Sequence, residues 1–320
     1  MNTTDPPEQT GNRTPTRYGL VVPTYNAGDH ARHFLDGVST QTLHVHRKLA
    51  IDSSSRDGTA NLFRDQGFEV ISIPTSQFDH GGTRQQGVEA LEDVDVIVFA
   101  TQDIQFSNQV SLANLVSVFD EFDDVAASYG RQLPHLDADV FAAHARNFNY
   151  PPKSEIRGIG DAKRLGVKAA FISNSFSAYR RTDLCNIGGF PSPSLFGEDF
   201  CVALKFLHNN LRIAYQADAC VRHSHNYSIA QEFSRYFDIG VLYAQQQQSL
   251  AKIGKPDGEG MRYLRSELAI AKAHGWMTPI HSLMRCGAKF TGYKIGRHYS
   301  VIPRSVCQRL SMYPPYWKTT

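Results

Sequence analysis

Four carboxylates, one arginine and two histidines carry most of the chemistry this chain can offer, and their spacing groups them. Asp52 opens Asp52-Ser53-Ser54-Ser55-Arg56-Asp57-Gly58-Thr59, and Arg84 closes Phe78-Asp79-His80-Gly81-Gly82-Thr83-Arg84. Asp103 ends Thr101-Gln102-Asp103, Glu198 and Asp199 sit in Phe196-Gly197-Glu198-Asp199, and His223-Ser224-His225 begins 24 residues after Asp199. In an extended segment His223 and His225 project to the same side. A neutral imidazole is the ligand that a Mg²⁺ or Mn²⁺ site built on the single carboxylate of Asp103 would otherwise lack. A carboxylate such as Asp52 suits the N3–H of a pyrimidine base, and a cation such as Arg84 suits a diphosphate. Glu198-Asp199 at a helix start reads as a general base at the lip of a pocket, although acids there also complement the helix dipole.

These clusters need a scaffold, and the pattern between them supplies one. Strand-like runs at Tyr18–Val22, Val45–Ile51, Glu69–Ile73 and Val94–Ala100 alternate with helical patterns at Asp29–Gln41, Asp57–Gln66, Gly82–Leu91 and Asn108–Phe119. Four strands each followed by a helix predict an α/β fold with a mostly parallel sheet and helices on both faces. Each strand is followed by a polar cluster, and Val22-Pro23-Thr24-Tyr25-Asn26 belongs to the first. Open α/β sheets bind ligands at these strand ends, though Asp, Ser and Gly there are also ordinary turn residues. Neither GxGxxG nor GxxxxGK[ST] is present, so a nucleotide would not be held by a glycine-rich loop. Past Gly130 the rhythm breaks into a long polar excursion over 131–168, with Ala169–Ile172 expected to return to the sheet. A helix is expected over Glu198–Asn209, short strands over Leu211–Tyr215 and Ala219–His223, and helices over 229–250, 261–274 and 279–290.

Composition narrows the class. With 320 residues, 41% apolar and 20% charged, wholesale disorder is excluded. The best apolar stretch, Val94–Ala100, is interrupted by Asp95 and far short of the ~18 residues that cross a bilayer. The polar start, Met1–Arg17, lacks an apolar core and is expected to be a disordered tail without a signal peptide. Five widely and irregularly spaced cysteines fit neither a disulfide framework nor a CxxC zinc site and point to a reducing cytoplasm. Residues 261–320 carry ten Lys/Arg against Glu267 alone, a charge of +9, while the remainder carries −7. One basic end on a near-neutral chain suggests a polyanionic surface as partner.

VPTYN, DSSSRDGT, the carboxylate after the fourth strand, Gly188-Gly189-Phe190, GEDF and a His downstream together resemble the inverting family 2 of glycosyltransferases with its GT-A fold. FDHGGTR, TQD and RHSHNYS resemble its rhamnosyltransferase branch, which builds bacterial O-antigen and related polysaccharides. The resemblance covers residues 18–227 and implies a donor half, 18–130, an acceptor half, 131–227, and a helical, basic extension, 228–320. It implies that Pro23, Thr24 and Tyr25 wall the nucleotide base, that Asp52 reads it, and that Arg84 contacts the diphosphate. Gln102 and Asp103 complete the donor set, Asp103 and His223 hold Mg²⁺ or Mn²⁺, and Asp199 is the base with Glu198 in support. His225 is assigned to an acceptor or phosphate contact. The chain departs from the family where its DxD element is reduced to Thr101-Gln102-Asp103 and where Asp52-Ser53 replaces an Asp-Asp pair.

The expected reaction is transfer of L-rhamnose from dTDP-rhamnose, with inversion, to a polyprenyl-diphosphate-linked glycan at the cytoplasmic face of the membrane. Another nucleotide sugar, a UDP-hexose or a different deoxysugar, is the nearest alternative. A nucleotidyltransferase should show a glycine-rich, basic signature near its first strand, which VPTYNAG lacks. A non-catalytic saccharide or nucleic-acid binder would use the basic end, but Asp52, Asp103 and Asp199 repel phosphate without a metal, and no nucleic-acid module is recognisable. Peripheral docking of the basic, aromatic-rich end on anionic lipid is the expected use of that charge.

Overall fold

The computed structural model describes residues 16–254 and 259–319, so most of the expected N-terminal tail lies outside the described residues. The first four strands are β1 (Tyr18–Thr24), β2 (Arg47–Asp52), β3 (Glu69–Ser72) and β4 (Val96–Ala100), all mutually parallel in the order β3-β2-β1-β4. Alternation within them sorts side chains to two faces: Leu20 and Val22 join one buried cluster, and Val21 joins the other. Phe34 and Leu35 of the Asp29–Ser39 helix cover the first face. Val88 of the His80–Ala90 helix and Val202, Phe206 and Leu207 of the Glu198–His208 helix cover the second. Both faces of β4 are buried, which is why Val-Ile-Val-Phe-Ala reads as an unbroken apolar run.

Beyond β4 the structure departs from expectation in three places. Phe176–Arg180 returns antiparallel to β4, whereas the first half of the expected Ala169–Ile172 lies within a 3₁₀ turn, Gly166–Ala170, and the rest forms no strand. A nine-residue strand over Val125–Leu133 was not expected. The two short strands of 211–223 are a single one, Arg212–Arg222, paired in parallel with Val125–Leu133 and shifted in register near Gly130. In chain order β5 is Gln105–Phe106, β6 Val125–Leu133, β7 Glu155–Arg157, β8 Phe176–Arg180 and β9 Arg212–Arg222. The sheet continues β4-β8-β6-β9-β5, and β7 pairs with β9, so it is mixed and mostly parallel on its nucleotide half.

The C-terminal helices are built onto this sheet. Ser228 and Gln231 form a reciprocal cap: the Gln231 N–H donates to Ser228 Oγ at 3.3 Å, and the Ser228 N–H donates to Gln231 Oε1 at 2.9 Å. The capped helix, Ile229–Gln245, crosses Thr278–Arg297 at glycines. A methyl group at Gly292 or Gly296 would run into the carbonyls of Phe233 and Phe237, so glycine lets the two backbones approach. The tail folds back: Trp317, 7% exposed, packs against Phe237, and the Tyr313 hydroxyl donates to the carbonyl of Phe78 at 2.7 Å. The described residues from 228 onward are thus packed on the sheet domain rather than appended to it.

Candidate active site

Asp103 follows β4, and His223 and His225 follow β9, whose ladder with β6 extends through the His223 N–H to the Leu133 carbonyl at 2.9 Å. The extended His-Ser-His segment turns both imidazoles to one side, with ring centroids 4.8 Å apart. His223 Nε2 lies 3.3 Å and His225 Nε2 3.8 Å from Asp103 Oδ2, and one ligand atom from each residue falls within 4.8 Å of the others. The sequence placed His225 at an acceptor or phosphate contact; the fold brings it to the same carboxylate as His223.

The ring of His223 is set by two residues the sequence did not single out. Arg146 donates to Gln132 Oε1 at 2.6 Å, which fixes that atom as the amide oxygen. His223 Nδ1, 2.9 Å from the same oxygen, must therefore carry the proton. Burial, the largest influence, lowers the His223 pKa, so the imidazole is neutral and presents its Nε2 lone pair to a carboxylate oxygen. Burial likewise pushes His225 down to about 4. Burial alone would raise Asp103, yet in acid, where His223 takes up a second proton, the hydrogen bond and charge of that imidazolium outweigh burial and hold the carboxyl well below the usual range. Two neutral imidazoles facing one ionised carboxylate are a donor set for a divalent cation, with a side-chain amide orienting one ring. The residues present fit Mg²⁺ or Mn²⁺, and Asp103, His223 and His225 would hold it.

The second cluster stands at the start of the Glu198–His208 helix. Asn174 organises it: its backbone N–H donates to Asp199 Oδ2 at 3.0 Å and its side-chain amide to Glu198 Oε1 at 2.8 Å. Its own carbonyl oxygen accepts from the hydroxyls of Ser177 and Tyr179 at 2.8 and 2.7 Å. Burial, followed by the charge of Glu198, raises the Asp199 carboxyl to about 7. Burial opposes charge on Glu198 too, but the Arg84 guanidinium outweighs it and keeps Glu198 below its ordinary value. Adjacent carboxylates are driven apart in this way, one fixed as an anion and one poised to exchange a proton near neutrality.

Arg84, expected at the diphosphate, stands in the cavity wall and has an internal partner. It is 5% exposed, lies 3.2 Å from Glu198 Oε1 and donates to the His80 carbonyl at 2.9 Å, so its guanidinium is turned to an internal carboxylate. Of the cations that line the cavity, Arg84, Arg146, Arg235, Arg285 and Lys289, Arg235 is the exposed one, and it stacks at 5.8 Å over the rings of both Phe196 and Tyr227. Among the described residues no carboxylate pairs with it. Its place in the apolar pattern of a helix gave no signal in the sequence.

At the ends of β1, β2 and β4 the structure gathers Pro23, Thr24, Tyr25, Asp52 and Gln102. Asp52 is 2% exposed and accepts from Thr24 Oγ1 at 3.0 Å and from the Ser55 N–H and hydroxyl at 2.9 and 2.6 Å. Gln102 clasps the Tyr25 backbone, accepting its N–H at 2.8 Å and donating to its carbonyl at 3.0 Å, while the Tyr25 ring is 48% exposed. These braced residues are not among those lining the cavity of about 670 Å³, which Thr101 and Asp103, the sequence neighbours of Gln102, enter. That cavity joins both clusters, with Asp103, His223 and His225 in one part of its wall and Glu198 and Asp199 in another. Its far side comes from the C-terminal helices and tail, including Lys289, Arg285 and Tyr313.

Residues 20–188 match the family model for glycosyl transferase family 2. The chain belongs to glycosyl transferase family 2. This glycosyltransferase is 42% identical over 301 residues to the O-antigen chain rhamnosyltransferase RfbN of Salmonella typhimurium, covering 93% of this chain and 95% of that one. It is 43% identical over 304 residues to the O-antigen chain rhamnosyltransferase WbaN of Salmonella anatum, at 94% and 95% coverage. Its fold matches the mannosyltransferase PcManGT from Pyrobaculum calidifontis, solved with GDP-Man and Mn²⁺, at a TM-score of 0.58 and 17% identity, covering 96% of this chain and 89% of that one. It also matches TarS 1-349 from S. aureus, solved with UDP-GlcNAc, at a TM-score of 0.55 and 14% identity, with 89% and 91% covered. The α/β architecture is therefore that of the GT-A glycosyltransferases, with a helical C-terminal extension. No helix among the described residues is long and apolar enough to cross a membrane.

Proposed function

We propose that this glycosyltransferase moves L-rhamnose from dTDP-β-L-rhamnose to a hydroxyl of a polyprenyl-diphosphate-linked glycan, inverting the anomeric carbon. The observation that carries the chemistry is one cavity walled both by Asp199, raised to about 7, and by the Asp103–His223–His225 set. The choice of sugar rests on the relatives named as O-antigen chain rhamnosyltransferases, 42–43% identical along nearly the whole chain. In a single displacement the acceptor oxygen attacks C1 as Asp199 takes its proton. The bond from C1 to the phosphate oxygen breaks, and dTDP leaves with that electron pair. Glu198 stays charged and, with Asn174, keeps Asp199 oriented. Arg235 meets the negative charge that grows on the diphosphate, while Tyr25, Thr24, Pro23 and Asp52 hold the base. Gln102 braces the Tyr25 backbone. A divalent Mg²⁺ or Mn²⁺, when bound, supplies charge neutralisation to the same diphosphate.

The acceptor's lipid places the work of the enzyme at the inner face of the plasma membrane. The test is a panel of nucleotide sugars with purified enzyme, reading nucleotide diphosphate release and transfer to a lipid-linked glycan with and without divalent ion. dTDP-rhamnose should turn over fastest. A clear preference for a UDP-hexose would replace the sugar but leave the machinery, and no turnover of any donor would overturn the reading.

A further inference from the structure

The helix Thr278–Arg297 buries Ser282, Arg285, Lys289, Gly292 and Gly296 and turns an apolar face outward. Ile280 is 45%, Leu283 55%, Met284 54% and Phe290 64% exposed, at spacings of three, four and seven that place them on one stripe. Trp276, 81% exposed, and Met277, 45%, extend the stripe at its N-terminal end, and Met261 and Ile270 are exposed on the neighbouring helix, Glu259–Lys272. A soluble surface rarely exposes so many large apolar side chains together. The exposed charges of the C-terminal stretch have one sign. Among the described residues from 260 onward, the exposed charged side chains are Arg262, Arg265, Lys272, Lys294, Arg304, Arg309 and Lys318, and the sole acid, Glu267, is 1% exposed.

We infer that this face is the surface by which the enzyme docks on an anionic phospholipid leaflet, with Trp276, Leu283, Met284 and Phe290 entering the headgroup boundary. An apolar stripe on a strongly basic end matches that surface and opposes pairing with a second copy of itself, which would set like charges together. The inference rests on the proposed lipid-linked acceptor only for its purpose; the surface stands on its own geometry.

The test is flotation of the full-length chain, without donor or acceptor, on vesicles of phosphatidylcholine alone and of an equimolar mixture with phosphatidylglycerol. Binding should require the anionic lipid and weaken with salt. Leu283→Glu and Phe290→Glu should each lower vesicle partitioning by about tenfold or more, since each replaces a buried apolar group by a charge. Both side chains are exposed and neither lines the cavity, which takes Arg285 and Lys289 from the buried face of the same helix, so donor hydrolysis by either variant should match the parent. A blue shift of tryptophan emission on anionic vesicles reports Trp276, because Trp317 is already buried. Equal recovery without lipid under every condition, or a salt-insensitive dimer that Leu283→Glu dissolves, would overturn the inference. Vesicle binding with no turnover of any donor would instead sink the proposed reaction and leave the docking face standing.

Discussion

Arg84 Nη1 and Glu198 Oε1 lie 3.2 Å apart with both side chains at most 6% exposed, though 114 residues separate them in the chain. Removing one partner of such a pair strands a buried charge. Arg84→Met should therefore cost ~3–5 kcal/mol of stability, and the double variant Arg84→Met/Glu198→Gln should recover part of it. Chemical denaturation of the three proteins checks this. Were Arg84 a diphosphate contact, the single variant would keep its stability and lose donor affinity.

Asp199→Asn keeps size and removes the proton acceptor, so donor affinity should hold while turnover falls ~10²–10⁴-fold. In the parent enzyme the rate should rise with pH and level off above about 7, as the Asp199 carboxyl ionises. Stability runs the other way. The folded chain holds its Asp199 proton up to about 7, whereas the unfolded chain releases it near 3.8, so folding weakens as pH climbs between those values. Thermal melts should show Asp199→Asn gaining on the parent across this window and keeping a level lead above it.

Asp103→Ala, His223→Ala and His225→Ala should each raise the Mn²⁺ concentration needed for half-maximal activity. Gln132→Leu, which touches no cation, should weaken Mn²⁺ binding ~10–100-fold by releasing the His223 tautomer. Titration calorimetry with Mn²⁺ alone measures this without turnover. Full activity in EDTA would contradict the assignment.

Arg235→Gln should lower donor kcat/KM ~10–100-fold, the worth of one charge-assisted phosphate contact, with Arg235→Lys in between. Steady-state kinetics with a fixed acceptor separates this from Asp52→Ala. The latter should raise donor KM, leave kcat alone and lower the melting temperature, because Asp52 also ties Thr24 to Ser55.

The nucleotide half was legible because its four strands are apolar runs separated by amphipathic helices, and its polar clusters fall where such sheets bind ligands. Val125–Leu133 was not, because Ala126, Ala127, Ser128 and Gly130 are small for packing reasons and break the strand signature. At Gly130 a side chain would meet the Phe176 ring, a constraint written 46 residues away. Asp103, Asp199 and His223 could be picked out from type and spacing. Asn174, Gln132 and Arg235 could not, because each acts through a partner that only the folded sheet brings near. Arg84 was identified as chemically notable, but its pairing with Glu198 was not legible, since charge alone does not say which anion a buried arginine faces.

The bond from Tyr313 to the Phe78 carbonyl ties almost the last residues of the chain to the loop after β3. Synthesis proceeds from the N-terminus, so the sheet, the base and the histidine cluster all emerge from the ribosome before the wall that encloses them. A nascent or prematurely stopped chain would hold its carboxylates in a trough open to water, where an activated sugar meets hydroxide instead of an acceptor. The C-terminal wall would thus separate transfer from wasteful hydrolysis by keeping water from competing with the acceptor.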